Sequence, residues 1–254
     1  MISDNITVAK DPETGFLHAS ALLQSFLDVK PDGKQYPEEW QKRCFASYIA
    51  WKPIGAHVGL LYARAVKKRE PLQVAIASGI DPQLFIIGGG PRAPLGLNKW
   101  DKLALTGALR GAPLEVVKCE TSDLYVPATA EWVLEGEVLL DEEIADYNHT
   151  NFMGYCDPIW RVPMTRIKCI THRKNPIFHP TRSFFAPYDH GYLQLITIES
   201  EVLGQTRASF PEIKDVVAYP SFGGRSIFYV VQLSVDGANK PTNWFGRQII
   251  HAVW

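Results

Sequence analysis

The sequence predicts an α+β protein organised around a β-barrel or sandwich. Three observations lead there: many short β-rich runs punctuated by Pro and Gly, a few stretches of helical periodicity, and no internal repeat or low-complexity tract. With 254 residues the chain can bury a substantial core. Its net charge is −1, with acids and bases mixed along the chain, so nothing draws it electrostatically to nucleic acid or an anionic membrane.

The first fifty residues read as irregular and polar, with turn signals at "DPETG" and "KPDGKQYPEE". From Ala56 to Arg69, "AHVGLLYARAVKKR" places Val58, Leu61, Tyr62 and Ala65 on one helical face. Its basic end, Lys67-Lys68-Arg69, fits a solvated helix terminus favoured by the dipole. A β-rich run "PLQVAIASG" and a short apolar run "QLFII" follow. "GGGPRAPLG" lacks the GxGxxG or Walker spacing, and Pro91 and Pro94 keep it from running straight into a helix, so it reads as a loop. Residues 113–139 read as successive short strands, and "RIKCITHR" as another. Tyr192 to Phe210 reads as an amphipathic helix, "DVVAYPS" and "SIFYVVQLSV" as strands, and "TNWFGRQIIHAVW" as a helix capped by Thr242 or Asn243.

Few chemistry-bearing motifs are local. Seven histidines form no HxH or HExxH pair, the four cysteines (Cys44, Cys119, Cys156, Cys169) show no CxxC, and no GxSxG elbow is present. Reduced thiols in a cytoplasmic protein are expected, with no signal-type N-terminus and no apolar run of membrane-spanning length. "THRKNPIFH" concentrates basic groups but reads as a strand end and turn. The loop "IADYNHTNFMGY" stands out, since it sets Asp146, Asn148, His149 and Asn151 between two strand blocks, where rim loops carry function. Asparagine turn chemistry alone also accounts for such a loop.

"LALTGALRGAPLEVVKCETSDLYVPATAEWVLEGEV", "GYCDP", "RIKCITHRKNPIFH", "FPEIKDV" and the final "AVW" closely resemble the UbiD family. Its members are reversible (de)carboxylases of aromatic and α,β-unsaturated acids that use prenylated flavin mononucleotide with a divalent metal and potassium. The resemblance runs from about Asp4 to Trp254. It implies a split β-barrel of flavin-reductase type with flanking helices. One core domain is expected over 1–254, with 1–55 as its irregular N-terminal part and the family's N- and C-terminal domains largely absent.

Residue by residue, the resemblance implies a depleted site. His18 falls where the family has a metal-binding asparagine, and Leu23 where it has the arginine of a catalytic Glu-Arg-Glu set. Leucine offers a carboxylate none of arginine's bidentate contacts. The metal-binding histidine aligns with Ile54, three residues from His57, and the metal-binding glutamate with Lys102, beside Asp101. The two catalytic glutamates fall at Asp146 and Asn151, of which only Asp146 keeps an acid. Arg247 takes the place of a basic residue that contacts the flavin phosphate.

Three readings follow. In the first, the chain is a small non-catalytic or part-catalytic subunit of an aromatic or unsaturated acid (de)carboxylase, supporting a full-length UbiD-like partner or forming a homo-oligomer. In the second, it is an active lyase that binds prenylated or ordinary flavin through Arg247 and the Gly90-Pro91 loop, with Asp146 or His149 as proton donor. In the third, it is a stand-alone scaffold or binding protein for an aromatic carboxylate. No bound metal is expected, and prenylated flavin is doubtful in this chain alone.

Overall fold

The computed structural model describes residues 5–21, 24–26, 34, 38, 43–46, 51, 57–89, 102–146, 158–180, 189–219, 229–234 and 244–253. They fall into two compact units, one taking the described residues to 89, 102–146 and 158–180, the other those from 189 onward.

The first unit is built on β1 (Asn5–Lys10), β2 (Leu17–Ser20), β3 (Gln24–Phe26), β4 (Arg43–Ala46), β5 (Leu72–Ser78), β8 (Trp132–Ala145) and β9 (Arg161–His172). These make one antiparallel seven-stranded sheet in the order β2-β1-β5-β8-β9-β4-β3. The expected α+β architecture is therefore present, built on one large antiparallel sheet.

The N-terminal stretch differs from its expectation: residues read as irregular supply four strands of this sheet. The reason is visible in β1, whose Asn5 to Ala9 are all buried. Ile6 and Val8 pack on one face with Leu84, Leu103 and Leu124, while Ala9 packs on the other with Val58, Leu61 and Ala65. A strand covered on both faces shows no polar alternation, and Asn5 and Thr7 inside it further disguise the signal.

Helix α1 (His57–Lys68) supplies that second face, with Val58, Leu61 and Ala65 inward as the periodicity predicts. The "QLFII" run is helical, not extended: α2 spans Pro82–Gly89. Asp81 caps it, accepting the Gln83 amide at 2.9 Å on its side chain, and Pro82 occupies the first turn, where no N–H is needed. Helix α3 (Lys102–Arg110) and the hairpin β6 (Val116–Lys118)–β7 (Tyr125–Pro127) complete the first face.

The 113–139 block is thus one short hairpin followed by a long strand, β8, which continues to Ala145. The β8–β9 ladder shifts register at Glu135/Gly136 and again between Val138 and Glu143.

The "DPETG" turn joins β1 to β2. Asp11 accepts the Glu13 amide at 2.9 Å and the Thr14 hydroxyl at 2.6 Å, and Gly15 takes the positive φ of 74° that the reversal demands. Arg64 on α1 pairs with the Asp11 carboxylate. Burial pushes the Asp11 carboxyl up, but the Thr14 and Glu13 hydrogen bonds and the Arg64 charge outweigh it and leave the pKa below its ordinary value. A carboxylate depressed in the fold stabilises it above the unfolded-state pKa, about 4, and loses that contribution as pH falls through the folded value. Asp11→Asn is therefore expected to lower the urea midpoint above about pH 4 and to match the parent at lower pH. A gap that stays constant across that range would contradict the assignment.

In the second unit, α4 (Asp189–Arg207) and α5 (Phe245–Val253) cover the hairpin β10 (Ile213–Ala218)–β11 (Tyr229–Leu233). Ile213, Val216 and Ile249 form its centre, with Phe210 and Phe245 edge-on at 5.8 Å between ring centroids. The proposed caps of α5, Thr242 and Asn243, lie outside the described residues.

Candidate active site

Asp146 is the residue immediately after β8, and its backbone amide donates to the Trp160 carbonyl at 2.6 Å, closing the neck of the loop from which β9 returns. Below that neck the strands pair Ala145 with Arg161 and Ile144 with Val162. Ile144, Val162, Met164 and Phe45 form an apolar floor, and Asp146 itself is only 3% exposed. A buried acid thus stands directly after the end of β8. Its loop companions Asn148, His149 and Asn151 lie outside the described residues, as do Leu23, Ile54, Gly90, Pro91 and Asp101.

A charge network braces the sheet along the approach to Asp146. Arg43 on β4 meets Glu142 at 2.9 Å, Arg166 on β9 meets the same carboxylate at 3.2 Å, and Lys168 meets Glu137 at 2.7 Å. These pairs link β4 and β9 to β8, the strand that Asp146 follows. Sequence reasoning did not find them, because the partners are separated by up to 99 positions.

Glu135 is the other carboxylate that the motif reading passed over. It is 1% exposed and accepts the Glu120 amide at 2.8 Å, the Thr121 amide at 2.7 Å and the Thr121 hydroxyl at 2.7 Å. One buried acid thus holds the "CETSD" loop against β8. The basic "THRKNPIFH" stretch is a tied turn, as expected. Glu131 pairs with Arg173 at 2.9 Å and accepts the Ile177 amide at 3.0 Å.

The described cysteines, Cys44, Cys119 and Cys169, are free thiols. Burial pushes the Cys44 thiol up to about 12 and the Cys119 thiol up to about 11, which keeps both as un-ionised core residues.

Lys102 opens α3, and its ammonium donates to the Gly88 carbonyl at the end of α2 at 3.0 Å. The residue keeps partial contact with solvent, but its charged end is packed deeply enough that burial pulls its pKa down to about 8. The ammonium stays predominantly protonated near neutral pH. A divalent ion 4 Å from it would be repelled by on the order of 8 kcal/mol at an effective dielectric near 20. Among the described residues, the Lys102 ammonium therefore does not fit a divalent metal beside it. His18 sits on β2, partly buried and paired in register with Ala9.

Arg247 lies exposed on α5, its guanidinium 5.2 Å from the centroid of the Trp244 ring. Such stacking holds the group without consuming its hydrogen-bond donors, which suits an anion contact. A trough of about 570 Å³ runs between β2, α3 and the β6–β7 hairpin, lined by Leu17, Leu103, Gly107, Leu114, Val116 and Tyr125 among others. Among the described residues neither Asp146 nor Arg247 lines it, nor does any charged side chain, and Tyr125 is its one ionisable group.

Comparison with solved structures defines the class. An evolved dimeric form of the UbiD-class enzyme HmfF from Pelotomaculum thermopropionicum, in complex with prFMN, superposes with a TM-score of 0.81 at 25% identity. The match covers 99% of this chain and 52% of that one. Sedimentibacter hydroxybenzoicus vanillic acid decarboxylase shares the fold, with a TM-score of 0.76 at 23% identity over 99% of this chain and 48% of its own.

The UbiD description, 3-octaprenyl-4-hydroxybenzoate carboxy-lyase Rift-related domain, matches residues 2–183, and the chain belongs to the UbiD family. An uncharacterized protein of Archaeoglobus fulgidus is 32% identical over 250 residues, 98% of this chain and 46% of that protein. The chain spans about half the length of the curated relatives that it matches from end to end. Among the described residues no helix is long and apolar enough to cross a membrane.

Proposed function

We propose that this chain is a UbiD-like subunit of an aromatic or unsaturated acid (de)carboxylase, non-catalytic or part-catalytic, that supports a full-length partner binding prenylated flavin mononucleotide. The observation that carries this is Lys102. Its buried ammonium, tied to Gly88, stands where the resemblance puts a metal-binding glutamate, in a chain that belongs to the family. The sheet supports the same role, since the scaffold is retained while Leu23 and Asn151 stand where the resemblance puts the arginine and one glutamate.

Native mass spectrometry of the tagged chain isolated from its own host tests the proposal. The expected species is a heteromer with a longer UbiD-like chain that carries the flavin. A lone monomer, or a homo-oligomer that turns over substrate, would overturn it.

Asp146 favours a second reading, an active lyase with an altered acid–base set, because a buried acid remains at the end of β8. Co-expression with a flavin prenyltransferase separates the two: a colourless purified protein rules out the lyase. On the subunit reading, Asn151→Glu with cofactor supplied yields no turnover above background, since Leu23 still lacks a guanidinium. Measurable decarboxylation by Asn151→Glu would show the site to be better equipped than this.

A further inference from the structure

We infer that β6 is a docking edge for an extended segment of a partner chain. The segment adds a strand to the β6–β7 hairpin and lays alternate apolar side chains along the trough that borders it. This surface is separate from Asp146 and does not depend on the subunit assignment.

The ladder between the two strands shows which side of β6 is open. The Glu115 carbonyl accepts the Ala128 amide at 3.0 Å, and the Leu124 carbonyl accepts the Cys119 amide at 2.9 Å. Bonded pairs alternate with unbonded ones along an antiparallel ladder. Val116, opposite Pro127, and Lys118, opposite Tyr125, are therefore unbonded pairs, and their N–H and C=O groups point away from β7. Pro127 fits its place there, since it has no N–H to give. The two strands form a sheet of their own, so among the described residues these outward groups meet no further strand. Val116, Val117 and Lys118 are all exposed, and an open β-branched edge of this kind is a template for strand addition.

The trough of about 570 Å³ decides the side chains that such a strand carries. Val116 and Tyr125 share one face of the hairpin and line the trough with Leu114 and with Ala104, Gly107 and Ala108 of α3. An added strand continues that face, so every second side chain falls on the trough side, where apolar groups are matched. Charge sets the other end. Lysine commonly guards an open edge, but Lys118 and Lys10 both turn to the Asp123 carboxylate, at 3.1 and 2.9 Å. Two ammoniums share one acid there, and a carboxylate on the incoming strand opposite Lys118 completes the pairing. A second copy is the poorer occupant. Helix α3 stands at the start of the open side, where a Cβ on Gly107 would lie 3.4 Å from the Leu114 nitrogen. Two copies pairing edge to edge would bring two such helices into the gap, whereas a single strand brings none.

The probe is the peptide acetyl-Glu-Thr-Val-Thr-Val-amide, which in antiparallel register sets its acid opposite Lys118 and its first valine opposite Val116. Titrated into the full chain, it is expected to bind saturably with a Kd below about 1 mM. At saturation, hydrogen exchange is expected to slow at the Val116 and Lys118 amides and to stay unchanged at Val117, which is already bonded to β7. Val116→Pro removes one outward N–H without touching a β7 bond, and is expected to weaken binding about tenfold, as one lost hydrogen bond does. Should Val116→Pro fail to fold, the peptide N-methylated at its first valine removes the reciprocal N–H and is expected to bind at least about tenfold more weakly to the parent. Lys118→Glu is expected to reverse the preference, favouring a peptide that begins with Lys over one that begins with Glu.

Equal binding of the N-methylated peptide would overturn the proposal, because the trough would then be taking apolar groups without a ladder. So would slowed exchange at Val117 alone. A parent chain that self-associates through this edge, is dissociated by Val116→Pro and excludes the peptide would assign the edge to a second copy and overturn it as well.

Discussion

Gly136→Ala is expected to cost about 3 kcal/mol of unfolding free energy, at the upper end of what one added methyl group inflicts on a packed interior. A Cβ at this position would stand 2.3 Å from the Arg166 carbonyl oxygen and 3.1 Å from its carbon. Both belong to the backbone of β9, so no rotamer change relieves the clash. Gly136 is needed for close approach, at the point where the β8–β9 register shifts between Glu135 and Gly136. Relief would require β8 to lift from β9, and the disturbance would run along β8 to Asp146. Urea unfolding with an unchanged m-value is the measurement. A loss below about 1 kcal/mol would mean that the two strands separate more easily than this contact implies.

Glu135→Ala is expected to cost a similar amount, about 3 kcal/mol, for a different reason. The buried carboxylate accepts two backbone amides and one hydroxyl from Glu120 and Thr121. Deleting it leaves those donors facing a cavity, and hydrogen bonds to a charged acceptor are worth more than neutral ones. Glu135→Gln keeps the shape but turns one acceptor into a donor, so about half the loss is expected. Amide hydrogen exchange at Glu120 and Thr121 supplies a local readout. Full protection of both amides in Glu135→Ala would show that the loop is held by something else.

Helix α1 was legible in advance because it buries a single face. Helix α1 declared itself through Val58, Leu61 and Ala65, which all reach the core. Strand β1 did not, because helices on both sides of the sheet bury Asn5 through Ala9 without a break. "QLFII" was ambiguous because a short apolar run carries no clear period, and its helix begins at the Asp81 cap. The candidate site divides along similar lines. Asp146 could be picked out as an acid in a loop between strands, whereas its burial follows from the amide contact with Trp160 and the apolar floor beneath.

Residue type and short-range pattern were thus sufficient for the α+β class, for α1 and for the family resemblance in the 107–139 block. The resemblance further implied that Leu23 and Asn151 depart from the family's catalytic set and Lys102 from its metal ligands. The folded chain was required for everything that depends on distant segments meeting. It turned Glu135 into the anchor of a loop fifteen residues away and Arg43 into a partner of Glu142. It also brought the Lys102 ammonium to the end of another helix, where it is buried and bonded to the Gly88 carbonyl. Hydrogen bonds and desolvation depend on distance in space, and no local pattern encodes which strand will lie beside which.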